Sequence, residues 1–236
     1  MNPKVVEAYT SVGAFLRRYK SGKLPKLFKI LPSLRNWEEI VYVTDPEGWS
    51  PAAVRAATRL FASNLNPKMA QRFYNLILLQ KCRDDIAEYH KLNYHLYMAL
   101  KKALYKPAAF YKGVLLPLCE SGDCTLREAT IFGSVLSKVS IPQAHSAACL
   151  LKLAELPYSP ATAVFLRTLI NKKYALPYRV VDALVIHFMS FMGMDGPMPV
   201  IWHQCLLAFA QRYRSDVTRD QREQLRALLK KHTHHA

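Results

Sequence analysis

Apolar residues recur at steps of three and four along most of the 236-residue chain, as expected for helices that bury one face. Ile86, Leu96 and Leu100 belong to the clearest stripe of this kind. Acidic residues precede the stripe and lysines and a proline follow it, which predicts one long helix over positions 84–106. The best strand candidate, at positions 41–43, is too short to change this picture. The pattern therefore predicts a helical protein.

Capping residues mark where many of the helices begin. Proline is tolerated directly after such a residue, because the first helical N–H has no partner in any case. This pattern occurs three times, at Ser50-Pro51, Asn66-Pro67 and Ser159-Pro160. The capping-box pattern occurs at Asn36/Glu39, Thr125/Glu128 and Thr218/Gln221. Together with the apolar stripes, these signals predict helices near positions 3–19, 36–44, 51–64, 67–80, 84–106, 108–116, 125–138, 142–155, 160–173, 177–192, 199–214 and 218–231.

The predicted helices of the second half are regularly spaced. Starts near 125 and 160, and near 142 and 177, are 35 residues apart in both cases. Two helices in this length are the size of a helical-hairpin repeat, although no tetratricopeptide consensus is present. Short loops make neighbouring helices antiparallel. We therefore predict an all-α fold, a curved repeat-like array of stacked antiparallel helix pairs of HEAT or TPR size, in a single domain over 1–236 with about ten helices.

Two segments depart from the regular pattern. Residues 21–35 contain two prolines and the evenly spaced Lys23, Lys26 and Lys29. This segment is predicted either as a connector that packs through its apolar residues, Leu24, Leu27, Phe28 and Ile30, or as a basic arm, and the sequence leaves both interpretations open. The histidine-rich tail, 232–236, is predicted to fray.

The overall charge narrows the class of partner. Lys and Arg number 33 against 17 Asp and Glu, which gives a net charge of +16 and a pI near 9.7. This charge predicts an anionic partner: nucleic acid, an acidic protein or an anionic membrane face. The five scattered cysteines favour a reducing compartment over a secreted disulfide framework. The most apolar stretch, 180–194, is too short to span a membrane.

Basic and aromatic residues are interleaved in the acid-free stretch 89–119, and a second basic group lies near the turn at 171–179. Interleaving of this kind favours a phosphate-rich partner, and turns at one edge of a helix stack can line up into a basic rim. The alternative is that the aromatic residues are core and the lysines merely solvated. The candidate phosphate-binding residues are Lys101, Lys102, Lys106, Lys112, Lys172, Lys173 and Arg179.

Enzyme motifs are incomplete in this chain. The phosphate-binding patterns GxxxxGK and GxGxxG and the zinc-protease pattern HExxH do not occur. Cys119 and Cys124 have the spacing of half a zinc site but lack a second close pair, so two thiols around a tight turn are the simpler interpretation. His145 and Cys149 share a helix face without a nearby carboxylate to orient them. We predict no catalytic residues, metal or cofactor, and an enzyme built on Cys119, Cys124 or His145 stays a rival hypothesis.

Six long segments, spread over nearly the whole chain, resemble the bystin family of eukaryotic ribosome-assembly factors. They are MAQRFYNLILL (69–79), RDDIAEY (83–89), LNYHLYMALKKALYKPAAFYKG (92–113), LPLCESGDCTLREA (116–129), KKYALPYRVVDAL (172–184) and WHQCLLAFAQRY (202–213). Motifs of this length are not expected to occur in this order by chance.

The resemblance implies an all-helical, non-catalytic factor of ribosome biogenesis. It implies binding to small-subunit precursors at the head and beak, with contacts to rRNA, ribosomal proteins and assembly factors, in support of 18S rRNA processing and 40S maturation. It further implies a nucleolar and nuclear location, with passage to the cytoplasm on pre-40S particles. The seven basic candidates are then predicted rRNA contacts. The alternative is a helical protein–protein adaptor without direct RNA contact, whose basic surface meets an acidic protein.

Overall fold

The computed structural model describes residues 3–233, and within them all regular structure is helical. This confirms the all-α prediction. Residue contacts divide the chain into two compact units, Met1–Pro117 and Leu118–Ala236, and each is described by itself. The prediction of a single domain over 1–236 stays a prediction.

The first unit contains short and medium helices, of which two are interrupted by a π-helical turn. Its α-helices are α1 (Pro3–Arg17), α2 (Lys26–Lys29), α3 (Trp37–Val43), α4 (Pro51–Asn64), α5 (Pro67–Phe73), α6 (Gln80–Tyr89), α7 (Tyr94–Ala103) and α8 (Pro107–Phe110), and α9 (Leu116–Glu120) crosses the boundary between the units. A π-helical stretch, Tyr74–Leu79, joins α5 to α6 without a break, and a second, Tyr111–Leu115, joins α8 to α9. The strand candidate at 41–43 lies in α3.

The prediction of one long helix over 84–106 is wrong, because the helix breaks between α6 and α7. His90 ends α6 in the left-handed conformation, with φ of 57°. Asn93 then caps α7, and its side chain accepts a hydrogen bond from the backbone N–H of His95 at 2.9 Å. The N–H of Asn93 itself donates to the Asp85 carboxylate at 2.6 Å. Local side-chain capping thus outweighs the continuous apolar stripe.

The segment 21–35 combines both of its predicted characters. Phe28 and Leu31 are fully buried, while Lys23, Lys26 and Lys29 are exposed. Leu27 and Ile30, which were predicted to pack, are largely exposed instead. The segment is therefore a packed connector with a basic outer side.

Aromatic side chains fill the core of the first unit. Phe61 and Phe73 stack with their ring centroids 4.4 Å apart, and Trp37 tilts against Phe61 at 5.5 Å. Phe28 meets the edge of Trp49 at 5.4 Å. The connector, α3, α4 and α5 thus share one aromatic cluster, which fixes the position of α4, against which α7 packs.

After α9, the described residues of the second unit form six long α-helices in two layers. They are α10 (Leu126–Lys138), α11 (Gln143–Glu155), α12 (Pro160–Ile170), α13 (Tyr178–Met189), α14 (Val200–Tyr213) and α15 (Arg219–Lys231). α12 packs between α10 and α14, and α13 packs between α11 and α15. Alternate helices thus belong to the same layer, which is the arrangement of helical-hairpin repeats and confirms the repeat-like prediction for this unit.

Hydrogen bonds repeat from one helix pair to the next. The Tyr174 hydroxyl donates to the carbonyl of Ile141, 33 residues earlier, at 2.6 Å. The Tyr213 hydroxyl in turn donates to the carbonyl of Tyr174, 39 residues earlier, at 2.8 Å. Arg212 donates to the carbonyl of Lys173 at 2.7 Å. The tyrosine of a short basic-tyrosine sequence, present as Lys173-Tyr174 and as Arg212-Tyr213, therefore ties successive helix pairs together.

A helix begins directly after each of the six predicted capping residues, and five of the six make the predicted side-chain cap. The side chains of Ser50, Asn66, Thr125, Ser159 and Thr218 each accept a backbone N–H of their helix, whereas Asn36 makes no such bond. The Asn36 backbone lies outside the extended region that a capping residue adopts.

His232, the first residue of the tail predicted to fray, is buried. Its Nε2 lies 3.0 Å from the Phe191 carbonyl, and its ring meets Trp202 with centroids 5.6 Å apart. The rest of the predicted tail, from residue 234 onward, lies outside the described residues.

Candidate nucleic-acid interface

The outer side of α7 carries the densest group of aromatic and basic side chains predicted from the sequence. One side of this helix is buried through Leu96, Ala99, Leu100 and Ala103. Residues 94, 97 and 101 follow at steps of three and four along the outer side of the helix, and Tyr105 lies two residues beyond its end at Ala103. We call the resulting surface the tyrosine–lysine face; its members are Tyr94, Tyr97, Lys101, Lys102 and Tyr105.

The tyrosines at the two ends of this face point to solvent and each has a cation beside it. Tyr94 is 64% exposed and Tyr105 is 68% exposed. Lys102 Nζ lies 4.5 Å from the centroid of the Tyr105 ring. Arg55 of α4 places its guanidinium 5.7 Å from the centroid of the Tyr94 ring. Each exposed ring is thus paired with a positive charge in cation–π geometry.

Lys106, a predicted contact close to this face, has a structural role. Its Nζ donates to the carbonyl oxygens of Ala62, at 2.6 Å, and Leu65. These carbonyls belong to the end of α4, where the last C=O groups lack intrahelical partners. Partial burial lowers the pKa of Lys106. The ammonium group is therefore directed into the protein.

Lys172 has the same structural role in the second unit. Its Nζ donates to the carbonyl oxygens of Leu136, at 3.0 Å, Ser137, at 3.3 Å, and Val139, which end α10. Partial burial lowers the pKa of Lys172 as well. Each unit thus uses a lysine that follows one helix to cap the end of the helix packed against it.

The remaining predicted contacts are available to solvent. Lys101 is half-exposed on the tyrosine–lysine face, and Lys112 is exposed in the π-helical stretch that follows α8. Lys173 is exposed in the left-handed conformation, with φ of 60°, and Arg179 is exposed at the start of α13. The seven candidates thus divide between the two units, and five of them keep their charge at the surface.

Sequence reasoning missed the contribution of Arg55 and could not separate the exposed aromatic residues from the buried ones. Phe110 and Tyr111 are core, as the alternative interpretation held, whereas Tyr94 and Tyr105 are exposed. The signal that separates them is the helix break at 90–93, because it resets the phase of α7. With α7 beginning at Tyr94, its apolar residues define the buried side and the tyrosines fall opposite.

Charge is concentrated in the unit that carries this face. Of the 33 basic residues, 19 precede position 118, together with 8 of the 17 acidic residues, so this unit holds +11 of the net charge of +16. A potential of this sign attracts polyanions over distances of about 8–10 Å at physiological salt. The tyrosine–lysine face therefore lies in a positive environment.

Of the residues named in the rival enzyme hypothesis, Cys119 is buried, whereas Cys124 and His145 are half-exposed. Burial raises the pKa of Cys119 and of Cys205 to about 12, and it also raises the pKa of Cys149. Within residues 3–233, no group of three or more His, Cys, Asp or Glu side chains is arranged to hold a metal ion. Raised thiol pKa values oppose nucleophilic chemistry, because the thiolate is the reactive form.

Thiol titration tests this placement of the cysteines. At pH 8 we expect about one thiol to react rapidly with an aromatic disulfide reagent in the native protein, and five in guanidinium chloride. The fast thiol is Cys124, which is half-exposed while the other four are buried. Cys124→Ser should remove the fast phase and leave four thiols in denaturant. A fast native reaction that persists in this variant would revive the nucleophile hypothesis.

The second unit also contains an apolar groove. It lies between the end of α11 and α13, has a volume of about 910 Å³, and is lined by Leu156, Tyr158, Arg179, Ile186, Phe191 and Met194. Ile186 is 69% exposed, and the buried Tyr158 hydroxyl makes no hydrogen bond within the described residues. Grooves of this kind accept apolar side chains of a partner.

Comparison with known proteins places this chain among its relatives. The model of the bystin family matches residues 1–236. The chain belongs to the bystin family. It is 63% identical over 236 residues to bystin of Monosiga brevicollis, covering 100% of this chain and 57% of that protein. It is 60% identical over 234 residues to human bystin and 58% identical over 234 residues to bystin of Drosophila melanogaster, covering 99% of this chain and 54% of each relative.

The chain spans about half the length of the curated bystins that it matches. The names of the family and of these relatives specify no reaction. None of the helices within residues 3–233 is both long and apolar enough to cross a bilayer.

Proposed function

We propose that this bystin-family chain is a non-catalytic ribosome-biogenesis factor that binds precursor particles of the small ribosomal subunit. Its ligands are rRNA of the head and beak region together with ribosomal proteins and assembly factors. By holding them in register it supports 18S rRNA processing and 40S maturation. It acts in the nucleolus and nucleus and reaches the cytoplasm on pre-40S particles.

The tyrosine–lysine face is the observation that supports RNA binding most directly. Lys101 and Lys102 have no competing acid in their own helix, and the unit that carries them holds most of the net positive charge. Contacts between lysines and phosphates supply affinity and orientation without reading sequence. These lysines lie on a packed helix, so their backbone does not have to be ordered on binding.

The first test measures RNA binding of Lys101→Gln/Lys102→Gln across a salt series. For a small-subunit head-domain rRNA fragment, each lost phosphate contact lowers the slope of log affinity against log salt by about 0.7 for unpaired strands. Two lost contacts should therefore weaken binding about 20-fold near 0.1 M salt. Fluorescence anisotropy at five salt concentrations gives both quantities.

The matched control is Arg226→Gln/Lys230→Gln on α15. Both side chains are exposed and the change in net charge is the same. We expect the control to keep the wild-type salt slope. Equal slopes for both variants and the wild type would contradict a phosphate contact at this face.

A protein–protein adaptor is the second candidate function, and the apolar groove of the second unit favours it. Arg179 lines this groove together with Glu155 and Asp182, so its charges are mixed and its apolar lining is the feature that an apolar segment of a partner protein would satisfy. An unchanged RNA affinity in the lysine variant, together with tight binding of protein partners, would support the adaptor.

A further inference from the structure

The tyrosine–lysine face exposes aromatic rings that the core does not need. Tyr94 and Tyr105 lie at its two ends and are exposed, and the half-exposed Tyr97 lies between them. A solvated helix face is normally polar, and large exposed rings grouped on one face mark a binding surface. Solvation of lysines alone does not account for this grouping.

We infer that this face is a stacking platform for unpaired bases of RNA. The inference rests on the proposed function and specifies which form of RNA the site accepts. Each terminal tyrosine is paired with one cation: Lys102 with Tyr105, and Arg55 with Tyr94. A ring beside a cation matches one nucleotide, since the ring can stack on the base while the cation neutralises a phosphate.

The dimensions of the face fit a short strand. Tyr94 begins the ten-residue helix α7 and Tyr105 lies in the turn just past its end, so the face is about 15 Å long at the helical rise of 1.5 Å per residue. Nucleotides stacked at 3.4 Å would place about five bases over this length. This is within the range of site sizes of single-strand binding modules.

Duplex RNA does not fit the same chemistry. Bases in an A-form helix are stacked inside it, and side chains cannot enter its deep major groove. A duplex would therefore meet the lysines but not the tyrosine rings. An acidic peptide would also be attracted by the charge, but its carboxylates offer no flat ring to stack on the two exposed tyrosines.

The test compares Tyr94→Ala/Tyr105→Ala with Tyr94→Phe/Tyr105→Phe. The probes are a fluorescein-labelled ten-nucleotide oligouridylate, a ten-base-pair RNA duplex and a ten-residue oligoglutamate. One lost stack costs about 1 kcal/mol or more, so the alanine pair should bind oligouridylate at least about 30-fold more weakly with an unchanged salt slope. The phenylalanine pair should stay within about two-fold of the wild type, because the rings remain.

The control is Tyr42→Ala/Tyr89→Ala, which removes two exposed tyrosines elsewhere in the same unit and should leave binding unchanged. Thermal melting of every variant separates lost stacking from lost folding. Wild-type preference for the duplex or for oligoglutamate would overturn the inference. Normal binding by the alanine pair would also overturn it. If Lys101→Gln/Lys102→Gln still lowers the salt slope in that case, the proposed RNA contact is supported and only the stacking platform is contradicted.

Discussion

Gly113→Ala is expected to lower the free energy of unfolding of the first unit by about 3 kcal/mol. A Cβ atom at this position would lie 2.5 Å from the carbonyl oxygen of Gln71, which is backbone and cannot rotate away. The helix containing residues 111–115 would have to move off α5. Urea unfolding followed by circular dichroism measures the loss, as a fall in the midpoint of the transition.

Gly193→Ala is the matched control for this change. No atom lies within 4 Å of a Cβ built at Gly193, and its φ is not positive. We expect its free energy of unfolding to stay within about 0.5 kcal/mol of the wild type. If the midpoint of Gly113→Ala were equally unaffected, the close approach of the two helices would be contradicted.

The close approach at Gly113 coincides with both π-helical stretches. Tyr74–Leu79 packs against Tyr111–Leu115, and Asn75 of the first stretch donates a side-chain hydrogen bond to the Gly113 carbonyl at 3.3 Å. A π turn shifts the carbonyls out of their usual register and so leaves one available to a side chain. The glycine and the two π turns therefore form one structural feature.

Local signals in the sequence predicted the helices well, but not their interruptions. Thr125 and Ser159 start helices through contacts within four residues of chain, so the pattern alone identifies them. The π turns depend on the segments that pack against them, and the sequences of residues 74–79 and 111–115 contain no pattern that predicts a π turn. The helix break at 90–93 could have been predicted from the sequence, because Asn93 is a good capping residue. The continuous apolar stripe concealed it.

In the candidate site, too, local features could be predicted from the sequence and features that depend on tertiary packing could not. That Lys101 and Lys102 lie near aromatic residues is a property of the local sequence. That Arg55 lies over the Tyr94 ring is not, because it depends on the packing of α4 against α7. Charge density likewise could not separate Lys106 and Lys172 from their neighbours, since the carbonyls that they cap lie 33 to 44 residues away in the chain.

Lys172→Met should lower the free energy of unfolding of the second unit by about 3 kcal/mol. The ammonium group donates to three carbonyls at the end of α10, and hydrogen bonds to charged groups contribute about 1.5–3 kcal/mol each but not additively. Burial lowers the pKa of Lys172, which reflects the desolvation cost that these bonds offset. Methionine keeps the length of the side chain but leaves the carbonyls without a donor.

Lys173→Met is the control, because the adjacent side chain is exposed and the same charge is lost. Its free energy of unfolding, measured in urea, should stay within about 0.5 kcal/mol of the wild type. An equal loss in both variants would mean that net charge, rather than the cap, stabilises the unit. The pair thus separates two roles that identical neighbouring residues conceal: Lys172 holds α10 in place, while Lys173 keeps its charge at the surface, where an anionic partner can reach it.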